Sequence, residues 1–314
     1  MATHDPALDA EAVELHALIA SDEPYQRLFR VRQARWRTAN GLPVGLHRGA
    51  PLGSRIAMPY ARDHLANYLT DNVRAVVRAE VVEGDRSRGK LYGAPRIYAD
   101  ALSSQPMCFN LFGELTLDLD LASRALSVLV GDTVRATRIA FEHSPGRGDA
   151  RFTADRSAFD VYVEYLRGER RGFLGIEVKY HESLKDSPGT HRARYDEIAA
   201  AMGAFRSDAV ERWRARPLQQ IWRDHLLAGS LRLDRASGFD EGAFVFLYPS
   251  ENTRCRAAVA AYQDCLTARC SSFLPWTLED VCAALRDADA GAWLEAFERR
   301  YLGARDGGAL GSAP

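Results

Sequence analysis

The stretch GFLGIEVKYHE, residues 172–182, sets Glu177 and Lys179 two positions apart near the end of an apolar run. In an extended chain successive side chains alternate between faces, so Ile176 and Val178 point one way while the carboxylate and the amine project together the other way. A solvent-facing strand places charges in the same manner, and an E-x-K triplet alone is unspecific. A second stretch sharpens the pattern. AFDVYVEYL, residues 158–166, has Asp160 at the start of a strand whose remaining residues, Val161, Tyr162, Val163, Tyr165 and Leu166, are strong strand formers. The short RGERRG connection makes the two strands antiparallel neighbours and brings the Asp160 end of one beside the Lys179 end of the other. Two carboxylates beside a lysine at one end of a sheet are costly unless a cation neutralises them. Hard oxygen ligands suit Mg²⁺, with Mn²⁺ as its substitute, and such an ion keeps several waters while using few protein carboxylates. The lysine would then orient or deprotonate an attacking water and stabilise charge on a phosphorane-like transition state.

The elements that must hold these groups follow from periodicity. Residues 1–40 read as two helices, DPALDAEAVELHALIAS and the basic YQRLFRVRQARWR, whose Arg30, Arg32, Arg35 and Arg37 are candidates for phosphate contacts. LPVGLHRGAPLGSRI is punctuated by Gly and Pro and reads as loop; ARDHLANYLTDNVRAVVRAEV resumes a helix and EGDRSRGK is a polar link. SSQPMCFNLFGEL opens on capping serines and becomes apolar, a helix start, and LDLASRALSVLVG is another helix. The texture then changes. TRIAFEHS, AFDVYVEYL and RRGFLGIEVKY are strands, GTHRARYDEIAAAMGAF and PLQQIWRDHLLAGSL helices, and GAFVFLYPS a fully apolar strand. The rest is helical to a frayed end, GARDGGALGSAP. This order predicts an α/β layer with a central mixed β-sheet flanked by helices.

Composition narrows the function classes. The chain of 314 residues carries 41 Lys and Arg against 42 Asp and Glu, a formal charge of −1, so no overall basic field announces nucleic acid or membrane, and any such surface is local. Lysine occurs only at 90, 179 and 185; the arginine excess fits a GC-rich genome as readily as phosphate contacts. Five cysteines without a C-x-x-C pair read as reduced thiols rather than a zinc site, with Cys265 and Cys270 bracketing a helical TAR stretch. No run of eighteen apolar residues and no hydrophobic leader is present, which predicts a cytoplasmic protein without a membrane partner. There is no G-x-S-x-G, G-x-x-x-x-G-K-[ST], H-E-x-x-H or strand-linked G-x-G-x-x-G.

An acid on one strand, a hairpin, and E-x-K on the next, between helices, resembles the PD-(D/E)XK nuclease superfamily, whose core order is αβββαβ. More narrowly, SSQPMCFNLFGEL, GIEVKYHE, PLQQIWRDHLLA and FVFLYPSEN in this order resemble a bacterial restriction-endonuclease-like subfamily, over roughly residues 95–270. The resemblance implies a nuclease-like core at 95–270 between a helical N-terminal region, 1–94, and a helical C-terminal extension and tail, 271–314. It implies that Asp160 and Glu177 hold Mg²⁺, with the backbone carbonyl of Val178 as a further ligand, and that Lys179 acts in catalysis. One departure is Phe159, which stands where the superfamily pattern has proline. Superfamily members often add an acid from an earlier element, here Glu142 in preference to Glu114; Glu182, just past the strand end, is within reach of the metal region but reads first as exposed charge. Related nucleases support the site or touch phosphate from a helix behind the sheet, which singles out Gln219, Gln220 and Arg223 as substrate-binding residues, with Gln105 as a weaker candidate and His225 as a core residue. The implied activity is a Mg²⁺-dependent endonuclease, a hydrolase of phosphodiester bonds acting on DNA in restriction or defence. The implied partner is nucleic acid, and a homodimer is a compatible assembly. The alternative is a catalytically inactive nuclease-fold protein that binds nucleic acid or another partner, because fold does not guarantee activity.

Overall fold

The computed structural model describes residues 5–84, 89–185 and 189–303. Helices α1 (Pro6–Glu14) and α2 (Pro24–Ala39) precede a hairpin of β1 (Val44–His47) and β2 (Ala50–Ile56). Short helices α3 (Met58–Asp63), α4 (Asp71–Val77) and α5 (Arg96–Ala99) lead to the longer α6 (Ser104–Leu117) and α7 (Leu119–Val130). Strands β3 (Arg135–His143), β4 (Phe159–Arg167) and β5 (Arg170–Val178) follow, then α8 (Ala193–Met202), α9 (Val210–Trp213), α10 (Gln219–Leu233) and β6 (Glu241–Tyr248). The described chain closes with α11 (Thr253–Gln263), β7 (Phe273–Thr277), α12 (Leu278–Asp287) and α13 (Ala292–Tyr301).

Strands β3 to β7 form one sheet in chain order. β3, β4 and β5 are antiparallel neighbours, while β5, β6 and β7 run parallel, each parallel pair joined through helices. This is the expected α/β architecture with a mixed central sheet, and α6, β3, β4, β5, α10 and β6 supply the αβββαβ core. Its boundaries follow from local chemistry. The Ser103 side chain caps α6 by accepting from the Gln105 N–H, and Asp118 caps α7, which ends on the left-handed Gly131. The β4–β5 turn closes on the Arg167–Arg170 pair with Gly168 at φ 60°, the positive φ that a two-residue hairpin demands.

Both faces of the sheet are covered. Val161, Val163, Leu174, Ile176, Val178, Val245 and Leu247 pack into a cluster with residues of α2, α4, α6, α7, α12 and α13. Tyr162, Phe173, Phe244 and Phe246 pack on the other face with α8, α10 and α11. Because α10 lies directly on that face, Ile221, Trp222, Leu226 and Leu227 are all buried, and any polar group on its sheet-facing side is held against the strand ends.

Several elements differ from the sequence expectation. The stretch read as loop forms the β1–β2 hairpin. Its glycines mark close approach as well as turning: a Cβ on Gly53 would lie 2.0 Å from the Leu15 carbonyl oxygen. The long helix expected after it breaks at Leu65, which adopts a left-handed φ of 47°, and restarts at α4, where the Thr70 side chain accepts from the Val73 N–H. The TAR stretch between Cys265 and Cys270 is turn, not helix, and no two of the five cysteines form a disulfide. The segment from 271 onward, expected to be helical, begins with β7, a sheet-edge strand that tolerates Pro275. The tail from residue 304, and residues 85–88 of the polar link, lie outside the described residues. Among the described residues, no helix is long and apolar enough to cross a membrane.

Candidate active site

The strand register aligns three acids. Val161 pairs with Ile176, which sets Asp160 across from Glu177. Phe141 pairs with Val161 and His143 with Phe159, which sets Glu142 across from Asp160 on the other side. Asp160 Oδ2 accepts the Val178 N–H at 2.8 Å, tying the two strand ends together. Glu177 Oε1 accepts from Lys179 Nζ at 2.5 Å and from Gln220 Nε2 at 2.8 Å. Glu177 and Lys179 are buried, a rare position for charge unless it is paired.

Electrostatics follow from this crowding. Burial pushes the Asp160 carboxyl well above its ordinary range, and the neighbouring Glu177 charge pushes it further, against the pull of Lys179 and the Val178 N–H. Burial acts to lower the Lys179 pKa, but Glu177, Glu182 and Asp160 outweigh it and hold the amine above its usual value, so it remains an ammonium at neutral pH. Glu142 is raised by burial, and Arg147, 3.3 Å away, partly offsets that rise. Glu142 also has φ 48°, a left-handed conformation uncommon for a non-glycine residue and concentrated at functional positions.

A cavity of about 370 Å³ opens over Asp160 and Glu177 and is also lined by Gln219, Gln220, Arg223 and Asp224. The first turns of α10 thus face the strand ends. Gln219 Nε2 donates to the Gly189 carbonyl at 2.9 Å. Arg223 Nη2 donates to Asp155 Oδ2 at 2.8 Å and to Ser157 Oγ at 3.3 Å, so the β3–β4 connection fixes its guanidinium at the rim. Asp155 is itself buried and accepts further bonds from Tyr195 Oη, Thr153 Oγ1 and the Ser157 N–H.

Sequence reading missed two residues here, Asp224 and Asp155. Asp224 is buried in the cavity wall, and its Oδ2 has no hydrogen-bond partner among the described residues. Burial and then the Glu177 charge drive its carboxyl well above the ordinary range. The signal was present, since Asp224 lies four residues after Gln220 and so shares its helix face. Asp155 was missed because its turn-rich segment has no periodicity to assign it a direction.

Other candidates sit elsewhere. Glu114 accepts from the Thr70 hydroxyl and from Asn72 Nδ2, bracing the start of α4 away from the cavity. Glu182 is half-buried rather than exposed and accepts the Tyr180 N–H at 2.6 Å. Gln105 holds the Leu91 carbonyl and the Gly93 N–H. His225 is buried between Tyr262 and Ser272, and burial lowers its pKa to about 3, a neutral core histidine. The arginines of α2 have internal partners: Arg30 with Asp22 and Ser54, Arg32 with Glu251, Arg35 with Glu11, Arg37 with the Gly53 and Leu42 carbonyls.

Among the described residues, no three His, Cys, Asp or Glu side chains form a ready-made metal cluster. The donor chemistry nevertheless fits a hard dication that binds few protein ligands. Asp160 and Glu177 are adjacent carboxylates, the Asp160 carboxyl raised by burial and by the Glu177 charge, and Asp224 adds a buried oxygen without a hydrogen-bond partner among the described residues.

An αβββαβ core that sets an acid on its second strand beside E-x-K on its third is the architecture of an α/β nuclease. A family model of the PD-(D/E)XK nuclease superfamily matches residues 20–303, and the chain belongs to that superfamily. The match takes in α2 and α13 as well as the core. No curated protein and no solved structure matches the chain.

Proposed function

We propose that this chain is a Mg²⁺-dependent endonuclease that hydrolyses phosphodiester bonds in DNA, in restriction or another defence role. The observation that carries the reading is the triad itself: Asp160 and Glu177 side by side across β4 and β5, with the Lys179 ammonium 2.5 Å from Glu177, beneath a cavity. DNA and the defence role rest on the subfamily resemblance. Asp160 and Glu177 would hold the cation, with the Val178 carbonyl, Glu142 and Asp224 as additional donors. When bound, such an ion supplies Lewis-acid polarisation of the phosphate and lowers the pKa of water.

The protein's own groups divide the remaining tasks. The Val178 N–H fixes one oxygen of Asp160, and Gln220 fixes one oxygen of Glu177, so both carboxylates are oriented before substrate arrives. Lys179, held as an ammonium, hydrogen-bonds a water or a non-bridging phosphate oxygen and stabilises the negative charge that grows in the transition state. Arg223, braced by Asp155, offers a guanidinium at the cavity rim for a phosphate.

Plasmid incubated with purified protein and Mg²⁺ or Mn²⁺ tests the reading. Wild type should cut and Asp160→Ala should not. A wild-type protein that binds DNA without cutting it would favour the scaffold alternative, equal cutting by Asp160→Ala would overturn the site, and preference for an RNA of the same sequence would overturn the choice of DNA.

A further inference from the structure

A second, larger cavity of about 620 Å³ lies along β3, the edge strand of the sheet. Its walls carry Lys90, Arg138, Arg147 and Arg156 against Glu80 and Glu142. The chain as a whole is nearly neutral, so this is a local concentration of positive charge in a concave, low-dielectric setting, where such fields are focused. Two of its polar groups await a partner. Arg156 is exposed, with no side-chain partner among the described residues, and the Ser144 hydroxyl oxygen is buried with no hydrogen bond. The outer edge of β3 adds backbone N–H groups that no neighbouring strand takes up.

Glu142 and the β3–β4 ladder link the cleft to the proposed catalytic carboxylates. Glu142 lines it and stands across the ladder from Asp160; Arg147 reaches both Glu142 and the Arg156 carbonyl. His143, in the cleft wall, stacks on the buried Tyr162 at 4.1 Å. Burial and the cations Arg138, Lys90 and Arg147 hold His143 at a pKa of about 4, so it adds a neutral ring rather than charge.

We propose that this cleft is the phosphate track of the substrate, gripping the backbone of a nucleic-acid strand through Arg138, Arg147, Arg156 and Lys90 and leading it across β3 to Asp160 and Glu177. The proposal rests on the nuclease reading and adds the path of the strand. Lys90, Arg138 and Arg147 pair with Glu80, Glu164 and Glu142, so the phosphates of the strand would compete with these carboxylates, whereas Arg156 has no such pair to give up among the described residues.

The test measures affinity for a fluorescent DNA duplex by anisotropy across a salt series, in an Asp160→Ala background so that no strand is cut. Arg138→Ala with Arg156→Ala should weaken binding at least tenfold at low salt and reduce the slope of log affinity against log salt by about 1.8, at about 0.9 per lost contact. Arg156→Glu alone, at an exposed partnerless side chain, should weaken binding without altering the thermal midpoint. Unchanged affinity and slope in both variants would overturn the proposal. The same variants with Asp160 restored separate the two readings. If they bind and cut like wild type, the track is wrong and the nuclease reading stands. If wild type never cuts but these variants lose DNA, the track stands and the nuclease reading falls.

Discussion

At the scale of single residues, the protonation state of Lys179 decides which of its two expected roles survives. Its carboxylate neighbours hold it as an ammonium, which fits the proposed role of charge stabiliser and water-orienting donor rather than that of the base that removes a proton. Lys179→Met should leave Asp160 and Glu177 able to take up Mn²⁺, because the ammonium is not a ligand, while cleavage falls about 100-fold or more. Calorimetry beside a cleavage assay reads both; loss of Mn²⁺ binding in a folded mutant would show that the lysine holds the carboxylates in place. Asp155 gives a prediction with a pH sign. Burial acts to raise its pKa, but Tyr195, Arg223, the Ser157 N–H and Thr153 outweigh it and hold the carboxyl well below its ordinary value. A folded pKa below the unfolded value of about 3.9 means that the stabilisation is complete above that pH and is lost as pH falls through the folded pKa. Asp155→Asn should therefore cost about 3 kcal/mol at pH 7, the scale for breaking a buried pair. Denaturant titrations should show the gap to wild type narrowing below about pH 4.

At the scale of elements, the strands and the acids they carry were legible because a period of two fixes which side chains share a face, and a two-residue turn fixes the register. Asp160, Glu177 and Lys179 needed no more than that to be brought together. The same register aligned Glu142 with Asp160, whereas Glu114, on a helix of uncertain direction, went to brace α4. Helix α10 was half legible: its apolar spacing located Gln219, Gln220 and Arg223, but Asp224 reads as a solvent-facing charge until the sheet beneath it is known. The β1–β2 hairpin was hidden because Gly53 looks like loop punctuation when the true constraint is a backbone contact distant in sequence. Phe159, the departure from the superfamily pattern, has a packing reason that no local signal reveals. Its ring covers Gly175 on the neighbouring strand, where an added Cβ would fall 2.3 Å from the ring. Gly175→Ala should push the start of β4 outward, cost about 1–3 kcal/mol through overpacking and reduce cleavage by displacing Asp160. A mutant with unchanged denaturation midpoint and activity would show that the ring yields freely.

At the scale of the whole molecule, the question is whether α1 and α2 form an appendage to the nuclease core or part of it. Phe29 on α2 stacks on Tyr180, just past β5, at 4.7 Å and 8° between planes. Gln33 donates to the Tyr180 hydroxyl and to the Arg300 carbonyl, while Arg300 Nε donates back to the Gln33 side chain at 2.9 Å. Gln26 donates to the His181 carbonyl at 2.9 Å, immediately after the E-x-K strand. These contacts join the beginning of the chain, the end of β5 and the C-terminal helix α13 in one buried network, and Phe29 and Tyr25 belong to the same apolar cluster as Ile176, Val178 and Leu247. Buried polar networks of this kind are expensive to leave half-satisfied, so removing one member exposes the others to the full cost of unpaired burial. The chain should therefore unfold as one cooperative unit, with a single calorimetric transition whose van't Hoff and measured enthalpies agree. Gln33→Leu, which leaves Arg300 Nε and the Tyr180 hydroxyl without this partner, should lower stability by about 1–3 kcal/mol and shift that single transition as a whole. A separate early transition, moved by Gln33→Leu while the main one stays in place, would instead mark residues 1–94 as an independent unit resting on the core.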